Sequence, residues 1–510
     1  RLSSPPRALP RRRARGPPGP MGNACLCPAR EEADLSPRSD SGSGIDVSSL
    51  VLPSRLRHFP LQAPKRGGAD GECLLFLEHA HNVLYEDIIG SLSCQAVPSR
   101  TRGRPYVRAC AKDENGDVVG KAAKWPAKSS DANPSWYSAQ TLGFSLANQH
   151  EASIHIELWE DSTMLGSLAM ALSDVPFHCS VTRELERRHG AHSKLPCQVS
   201  FQILNSHALS DQRVVYFVRH GESVWNKAQD SMQLHEMART VDHPLSEEGR
   251  RQAEALSRRL AQAAKQADAS VEQLLRPDAV FVSPLSRAIQ TAVIALGPMI
   301  TKQKGVGEMV LMANAREKQN FGGLDTKSTK IGADVLQNSL DELRVLYKGK
   351  EKEVLDTFAQ LRFDAHDVRD LWWCDGITES PSELKARMQE FMSQLLYSPH
   401  HSMVVVGHSH FFRSVFKAFL SDDFHLENKE LARAITSKKI MNCGVARVEL
   451  DPRRGTAGGP IVGVELVLDT QLDADGAGLL ACCAADQHGA HTAATSLDEE
   501  VFSSESGEGY

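Results

Sequence analysis

The chain has no run approaching the ~18 apolar residues of a membrane-spanning helix, which excludes a helical span. It has no excess of one charge: −6 over 510 residues gives no sign of a nucleic-acid binder. It has no Cys-x-x-Cys, and its 11 cysteines are odd in number and scattered. That argues against a disulfide framework and for free thiols in a reducing compartment. No secretory signal and no internal repeat is visible, so a cytoplasmic location is expected. Apolar content is ordinary at 41%, enough for sizeable cores, and the length suits two folded domains with tails.

Three apolar, β-branched runs each end abruptly in chemistry-bearing residues. The first, Val214-Val-Tyr-Phe-Val, runs into Arg219-His220-Gly221-Glu222-Ser223. In open α/β sheets ligands bind beyond the carboxyl ends of the strands. An imidazole beside a guanidinium suits a phosphate there, the Arg gripping oxygens and the His attacking phosphorus. Arg219 also disfavours protonation of His220, keeping the ring nucleophilic near neutral pH. The second run, Asp278–Val282, ends at Ser283-Pro284 and leads into a helix whose opening turn holds Arg287, where amide donors and the dipole favour an anion. The third, Met403–Val406, delivers Gly407-His408, and the glycine permits a tight turn. Between the second and third lies Arg316-Glu317-Lys-Gln-Asn320, and Glu317 is the candidate general acid for a leaving group.

Taken together, Arg219-His220-Gly-Glu-Ser223-Val-Trp-Asn226, Ser283-Pro-Leu-Ser-Arg287-Ala-Ile-Gln-Thr291, Glu317 and Gly407-His408 resemble the histidine phosphatase superfamily, which includes phosphoglycerate mutases and metal-independent phosphatases. The four motifs occur in family order over about residues 212–470. The resemblance implies that His220 is the phosphohistidine nucleophile. It places Arg219, Arg287 and His408 around the phosphate and makes Glu317 the proton donor. Ser223 and Asn226 would line the substrate site, and no metal or other cofactor is implied. His410 is a further candidate contact, with packing as the competing reading. Mutases of the family carry a Tyr-containing stretch after the acid. Here Asn320-Phe-Gly-Gly-Leu-Asp325 follows, and Ser-His-Phe-Phe-Arg413 follows His408 in place of the common Gly-rich turn. Both departures favour a phosphomonoester hydrolase over a mutase-type isomerase. A non-catalytic membrane adaptor on the same fold is disfavoured by the filled catalytic positions.

Alternating strand and helix signals predict an α/β three-layer domain with a mainly parallel sheet over 212–470. Ser246 is placed to cap a helix whose stripe Ala253, Leu256, Leu260, Ala264 reads as core packing. Runs Gly444–Leu450 and Ile461–Leu468 read as a closing hairpin.

Residues 71–205 read as all-β, an antiparallel sandwich. Strand candidates are Cys73–Ala80, Pro105–Ala111, Ser138–Leu146, Ser153–Trp159, Ser167–Leu172 and Cys197–Leu204, with Asp113-Glu-Asn115-Gly116-Asp as a hairpin signal. Arg104-Pro-Tyr-Val107, Asn133-Pro-Ser-Trp136, Ile156-Glu-Leu-Trp-Glu-Asp161 and Gly166 resemble a C2 domain. Arg104 stands where such domains usually carry Asp, and only Glu160 and Asp161 remain in the late acidic loop. Little or no calcium binding is therefore expected, with docking on membrane lipids left open. Residues 1–70 read as disordered. Within them, Met21-Gly22-Asn-Ala-Cys25-Leu-Cys27 resembles an acylation start, with Gly22 as the myristate site and Cys25 and Cys27 as palmitate sites of a peripheral lipoprotein. Residues 471–510 read as a disordered acidic tail. The expected partners are a phosphorylated small molecule or phosphoprotein and membrane lipids, with no nucleic acid.

Overall fold

The computed structural model describes residues 45–51, 72–81, 83, 104–126, 134–145, 152–160, 162–178, 180–187, 196–205, 212–302, 308–319, 323–369, 371–374, 376 and 378–473. Gly22, Cys25, Cys27, Asn133, Asp161 and the acidic tail beyond Asp473 lie outside these residues. No helix among the described residues is long and apolar enough to cross a membrane.

The first domain consists of two antiparallel sheets. Strands β1 (Glu72–His81), β2 (Pro105–Lys112), β3 (Val118–Lys124), β4 (Ser135–Ser145), β5 (Ser153–Glu160), β6 (Thr163–Ala171), β7 (Val181–Glu184), β8 (Glu186–Arg187) and β9 (Gln198–Asn205) follow in order. They form the sheets β4-β1-β9-β7 and β3-β2-β5-β6-β8. Burial alternates along β5, with Ile154, Ile156 and Leu158 inward, because successive strand side chains point to opposite faces. Trp125 and Trp136 fill the centre, and each indole donates to a carbonyl, of Ser138 at 3.0 Å and of Pro126 at 2.9 Å. The hairpin signal joins β2 to β3 as expected. The Asp113 carboxylate accepts from the amides of Asn115 and Asp117, both at 2.9 Å, and Gly116 takes φ +85°. Strand β3 escapes the sequence pattern because its mostly exposed residues carry no clean alternation, and β7 and β8 escape it because they are short.

The second domain adds β10 (Arg213–Arg219), β11 (Ala279–Val282), β12 (Glu308–Leu311), β13 (Arg362–Asp364), β14 (Ser402–Gly407), β15 (Lys439–Ile440), β16 (Val445–Leu450), β17 (Ile461–Val467) and β18 (Leu472–Asp473). Its main sheet runs β13-β12-β11-β14-β10-β16-β17. The first five of these strands are parallel, and β16 pairs antiparallel with both β10 and β17 as the closing hairpin. One face, with Val215, Phe217, Phe281, Met403 and Val405, packs under Phe391, Phe411, Phe412 and Phe416; the Phe217 and Phe412 rings stack at 4.7 Å. Val218, Val280, Val282, Val404 and Val406 alternate to the opposite face, where helix Ser286–Ala295 is buried along its whole length. Helix Glu247–Gln266 is capped by Ser246, whose Oγ accepts from the Gly249 amide at 3.0 Å. Its buried stripe includes Ala253, Leu256, Leu260 and Ala263. Ala264, expected in the stripe, faces solvent because the 3.6-residue repeat puts position 263, three after Leu260, on the inner face.

Two boundaries differ from expectation. The sequence predicts disorder through residue 70, yet Val47–Ser49 form a 3₁₀ turn capped by Asp46, and the Leu50 carbonyl accepts from the Phe363 amide at 2.9 Å. Val51 bridges Phe363 in parallel, so this segment extends the β13 edge, and Val47 and Leu50 are buried there. At the other end the chain stays regular past 470. Strand β18 pairs with β15, which brings Asp473 to the buried Arg219 guanidinium.

The two domains share one apolar cluster. Phe76 and Leu204 of the sandwich join Leu395, Leu396 and Tyr397 of the second domain, with the Phe76 and Tyr397 rings 5.6 Å apart. The Tyr137 hydroxyl donates to the Asp367 carboxylate at 2.6 Å across the same contact.

Candidate active site

The parallel register of β10 and β14 pairs Arg219 with Gly407, so the next residues on each strand, His220 and His408, emerge side by side. The His220 amide donates to the Gly407 carbonyl at 3.0 Å, and the two ring centroids lie 4.9 Å apart. The glycine that follows His220 is needed for close approach. A Cβ on Gly221 would lie 2.6 Å from the Gly249 carbonyl oxygen, and one on Gly249 would lie 2.0 Å from that of Glu222. The loop after His220 and the start of helix Glu247–Gln266 therefore interlock backbone to backbone.

The hydrogen bonds assign the His220 tautomer. Its Nδ1 lies 2.6 Å from the Gly221 carbonyl, which only accepts, so Nδ1 carries the proton. Arg287 Nε donates to Nε2 from 3.3 Å, so Nε2 presents its lone pair. Burial pushes the ring well below the ordinary histidine range, and Arg287 and then Arg219 push it the same way. His408 is likewise buried and shifted well down, by burial first and then by Arg287. Its Nε2 pairs with Ser283 Oγ at 2.8 Å, and its Nδ1 has no hydrogen-bond partner among the described residues.

Arg287 enters from the first turn of helix Ser286–Ala295. Its Nη1 donates to the Asp325 carbonyl at 2.6 Å, and Nη2 lies 3.6 Å from that residue's carboxylate. Arg219 is 7% exposed, and its Nη1 donates to the Ile440 carbonyl at 2.6 Å with Asp473 at 3.5 Å. Glu317 sits at the start of helix Ser409–Phe419. Oε1 accepts from the amides of Phe411 and Lys318, both at 2.8 Å, and Oε2 accepts from the His410 amide at 3.3 Å. The His410 ring accepts from Arg413 at 3.0 Å through Nδ1, and burial holds it below the ordinary histidine range, opposed by the Glu317 charge. Ser223 and Asn226 cap each other at the start of helix Val224–Asp230. Ser223 Oγ accepts from the Asn226 amide at 3.1 Å, and Asn226 Oδ1 accepts from the Ser223 amide at 3.2 Å.

Residues 215–313 match the histidine phosphatase superfamily (branch 1). The chain carries a histidine phosphatase superfamily domain. The match covers His220 and Arg287, while Glu317 and His408 lie beyond it and are brought in by the sheet. No curated protein matches the chain. Among solved structures it is similar to a C2 domain of plant extended synaptotagmin 1, at 16% identity and TM-score 0.20, covering 27% of this chain and 96% of that one. It is also similar to human GIVD cytosolic phospholipase A2, at 13% identity and TM-score 0.20, over 27% of this chain and 17% of that one. Extended-synaptotagmin 2 is similar at 16% identity and TM-score 0.19, over 27% of this chain and 28% of that one.

The phosphatase domain also places residues to which the motifs gave no role. Asn442 Nδ2 donates to the His220 carbonyl at 3.0 Å. Thr291 ties the two motifs together, its hydroxyl accepting from the Gly221 amide at 3.0 Å and donating to the Arg287 carbonyl at 2.7 Å. Asp242 fixes the helix that carries Arg287, accepting from the Ser286 amide and hydroxyl, both at 2.9 Å. Burial raises the Asp242 carboxyl to about 6, opposed by Arg287 and by the Ser286 bonds. Behind it Glu342 is raised by burial, with Asp242 adding to the effect, to about 8. Beneath Glu317, Arg387 grips Glu379 through two 2.6 Å bonds and also holds the carbonyls of Asn314 and Arg316, both at 2.9 Å. Residues 314–316 are thereby braced against helix Pro381–Leu396. Asp242 stands just ahead of His243-Pro244, where a short polar side chain near a proline is a capping signal; Glu379 and Arg387 carry no such signal.

Proposed function

We propose that the chain is a phosphatase that hydrolyses a phosphomonoester through a phosphohistidine on His220. The observation that carries the reading is the fixed tautomer: Nδ1–H bound to the Gly221 carbonyl, with the Nε2 lone pair facing Arg287. An unprotonated imidazole buried beside two guanidinium groups has no role in packing that an apolar residue would not fill at lower cost. A phosphoryl dianion supplies the charge that balances them.

In this reading, Arg287, Arg219 and His408 surround the phosphoryl oxygens, and Nε2 attacks phosphorus in line with the departing oxygen. The Nε2–P bond forms as the P–O bond to the alcohol breaks. Glu317 gives that oxygen a proton. It then takes one from the water that attacks the phosphohistidine, releasing inorganic phosphate and restoring Nε2. The Gly221 carbonyl holds the growing positive charge on the imidazole through Nδ1–H. Positioning and charge stabilisation supply most of the acceleration. Ser223 and Asn226 line the substrate side of the site from a loop held by their mutual cap, and His410, whose amide holds Glu317, is a further substrate contact.

The substrate class remains a phosphorylated small molecule or phosphoprotein, and membrane attachment through the acylation start and the sandwich belongs to the same proposal. The test is turnover of an aryl phosphate by the full chain with His220→Ala as control. Release of phosphate that depends on His220 supports the reading. Interconversion of 2- and 3-phosphoglycerate with little phosphate released would replace it with the mutase, and absence of both would replace it with the adaptor. Flotation of the chain begun at Met21 with lipid vesicles tests attachment. Equal solubility of the wild type and Gly22→Ala would overturn acyl anchoring.

A further inference from the structure

His79 and His81 of β1 and His366 of the second domain meet at the contact between the two domains. Their ligand-capable atoms all lie within 4.8 Å of one another. The ring centroids are 4.5 Å apart for His79 and His81, 4.4 Å for His79 and His366, and 4.7 Å for His81 and His366. All three are partly buried.

The arrangement follows from a defect in a strand. Along β1, Cys73, Leu75 and Leu77 point into the sandwich core, while Leu74 and Phe76 point to the second domain. The register of β1 with both β4 and β9 breaks between Leu77 and His79. One extra residue reverses the alternation. Ala80 therefore points into the core, and His79 and His81 take the face that Leu74 and Phe76 held. The third imidazole comes from the 3₁₀ turn His366–Val368, fixed on both sides. The Asp364 carboxylate accepts from the His366 amide at 2.9 Å, and Asp367 accepts from Tyr137 at 2.6 Å.

We propose that His79, His81 and His366 form a zinc site that fastens the sandwich to the phosphatase domain. Three neutral imidazoles suit a borderline divalent ion such as zinc, and a water completes a tetrahedron. Zinc–nitrogen bonds of about 2.0–2.1 Å require nitrogens roughly 3.4 Å apart, so the present spacing of up to 4.8 Å has to close on binding. Asp364 and Asp367 add negative charge to the turn that carries the third ligand. One opposing group is Arg369, whose exposed guanidinium lies 2.8 Å from Nδ1 and 3.3 Å from Nε2 of His366. Zinc displaces it to solvent, so Arg369 weakens binding without blocking it. The site is separate from the catalytic histidines and does not rest on the proposed reaction.

The experiment is zinc titration of the full chain in competition with a chromophoric chelator, repeated with cobalt to read the visible absorption of a tetrahedral ion. One equivalent is expected in the wild type and in His220→Ala. His366→Ala and His79→Gln should each weaken binding at least tenfold, and Arg369→Ala should tighten it. Saturating zinc should raise the melting temperature on the order of 5 °C, an increment absent from the triple variant His79→Ala/His81→Ala/His366→Ala. Circular dichroism of the variants separates ligand loss from misfolding. Zinc retained by a folded triple variant, or less than stoichiometric zinc in the wild type, would overturn the proposal.

Discussion

Two buried clusters of charge lie side by side in the phosphatase domain and differ in one respect. In the brace, Arg387 and Arg316 converge on Glu379, with Arg387–Glu379 at 2.6 Å and Arg316–Glu379 at 3.2 Å, and further Arg387 bonds go to backbone carbonyls. In the candidate catalytic cluster, Arg219 and Arg287 flank two imidazoles. The nearest carboxylates are longer contacts, Asp473 at 3.5 Å and Asp325 at 3.6 Å. The brace is closed by its own bonds. The catalytic cluster leaves positive charge to be completed from outside. Residues 316 and 317 are adjacent and belong one to each, so the structural pair positions the candidate acid of the reactive one.

Breaking the brace should give the largest effect on folding. Glu379→Ala leaves two guanidinium groups buried without their carboxylate and is expected to cost about 3–5 kcal/mol in urea unfolding, with activity falling as residues 314–317 loosen. Arg387→Met should do less harm, because Arg316 at 3.2 Å still pairs with the Glu379 carboxylate.

In the catalytic cluster the contrast inverts. Arg287→Lys should lower kcat by about 10²–10³-fold, the scale of losing a preorganised donor, while leaving the melting temperature unchanged or raised. A variant that loses activity and stability together would place Arg287 with the brace.

The pH dependence sharpens the same difference. His220 is held neutral by burial and by Arg287 and Arg219, so the acid limb of kcat/KM that reports it should lie below the ordinary histidine value of about 6.5. Arg287→Met should move that limb upward. Protonation of His220 is suppressed in the folded state, so this residue's share of stability declines as pH falls below about 6.5. Glu342 acts in the opposite sense. Its carboxyl is raised to about 8 in the folded protein, which keeps a proton that the unfolded chain releases near the ordinary glutamate value of 4.5. Stability from this group is full below that lower value and is lost as pH rises towards 8. The expected signature is a melting temperature that drifts down a few degrees between pH 5 and 8, and less so in Glu342→Leu.

How much is legible in the chain follows from how each cluster is assembled. His220, Arg287 and His408 each stand at the end of an apolar strand, within a few residues of the signal that announces the strand, so local pattern is enough to find them. The parallel sheet and closing hairpin are readable for the same reason. The brace joins residue 316 to 379 and 387, and the histidine cluster joins 79 and 81 to 366; neither distant member is announced by a local spacing. The bulge at 77–79 is invisible as well, because it is created by pairing with β4 and β9. The ordered segment 46–51 is hidden in Ser- and Pro-rich surroundings that read as a linker, and its order comes from the β13 edge it joins.

The most direct test is to mix the enzyme with a fast-leaving aryl phosphate labelled with ³²P, quench within one turnover, and map the label. The account predicts acid-labile, alkali-stable phosphate on the peptide containing His220, absent from His220→Ala and weakened in Arg287→Lys. Substrate turnover with label on another residue, or full turnover by His220→Ala, would contradict it.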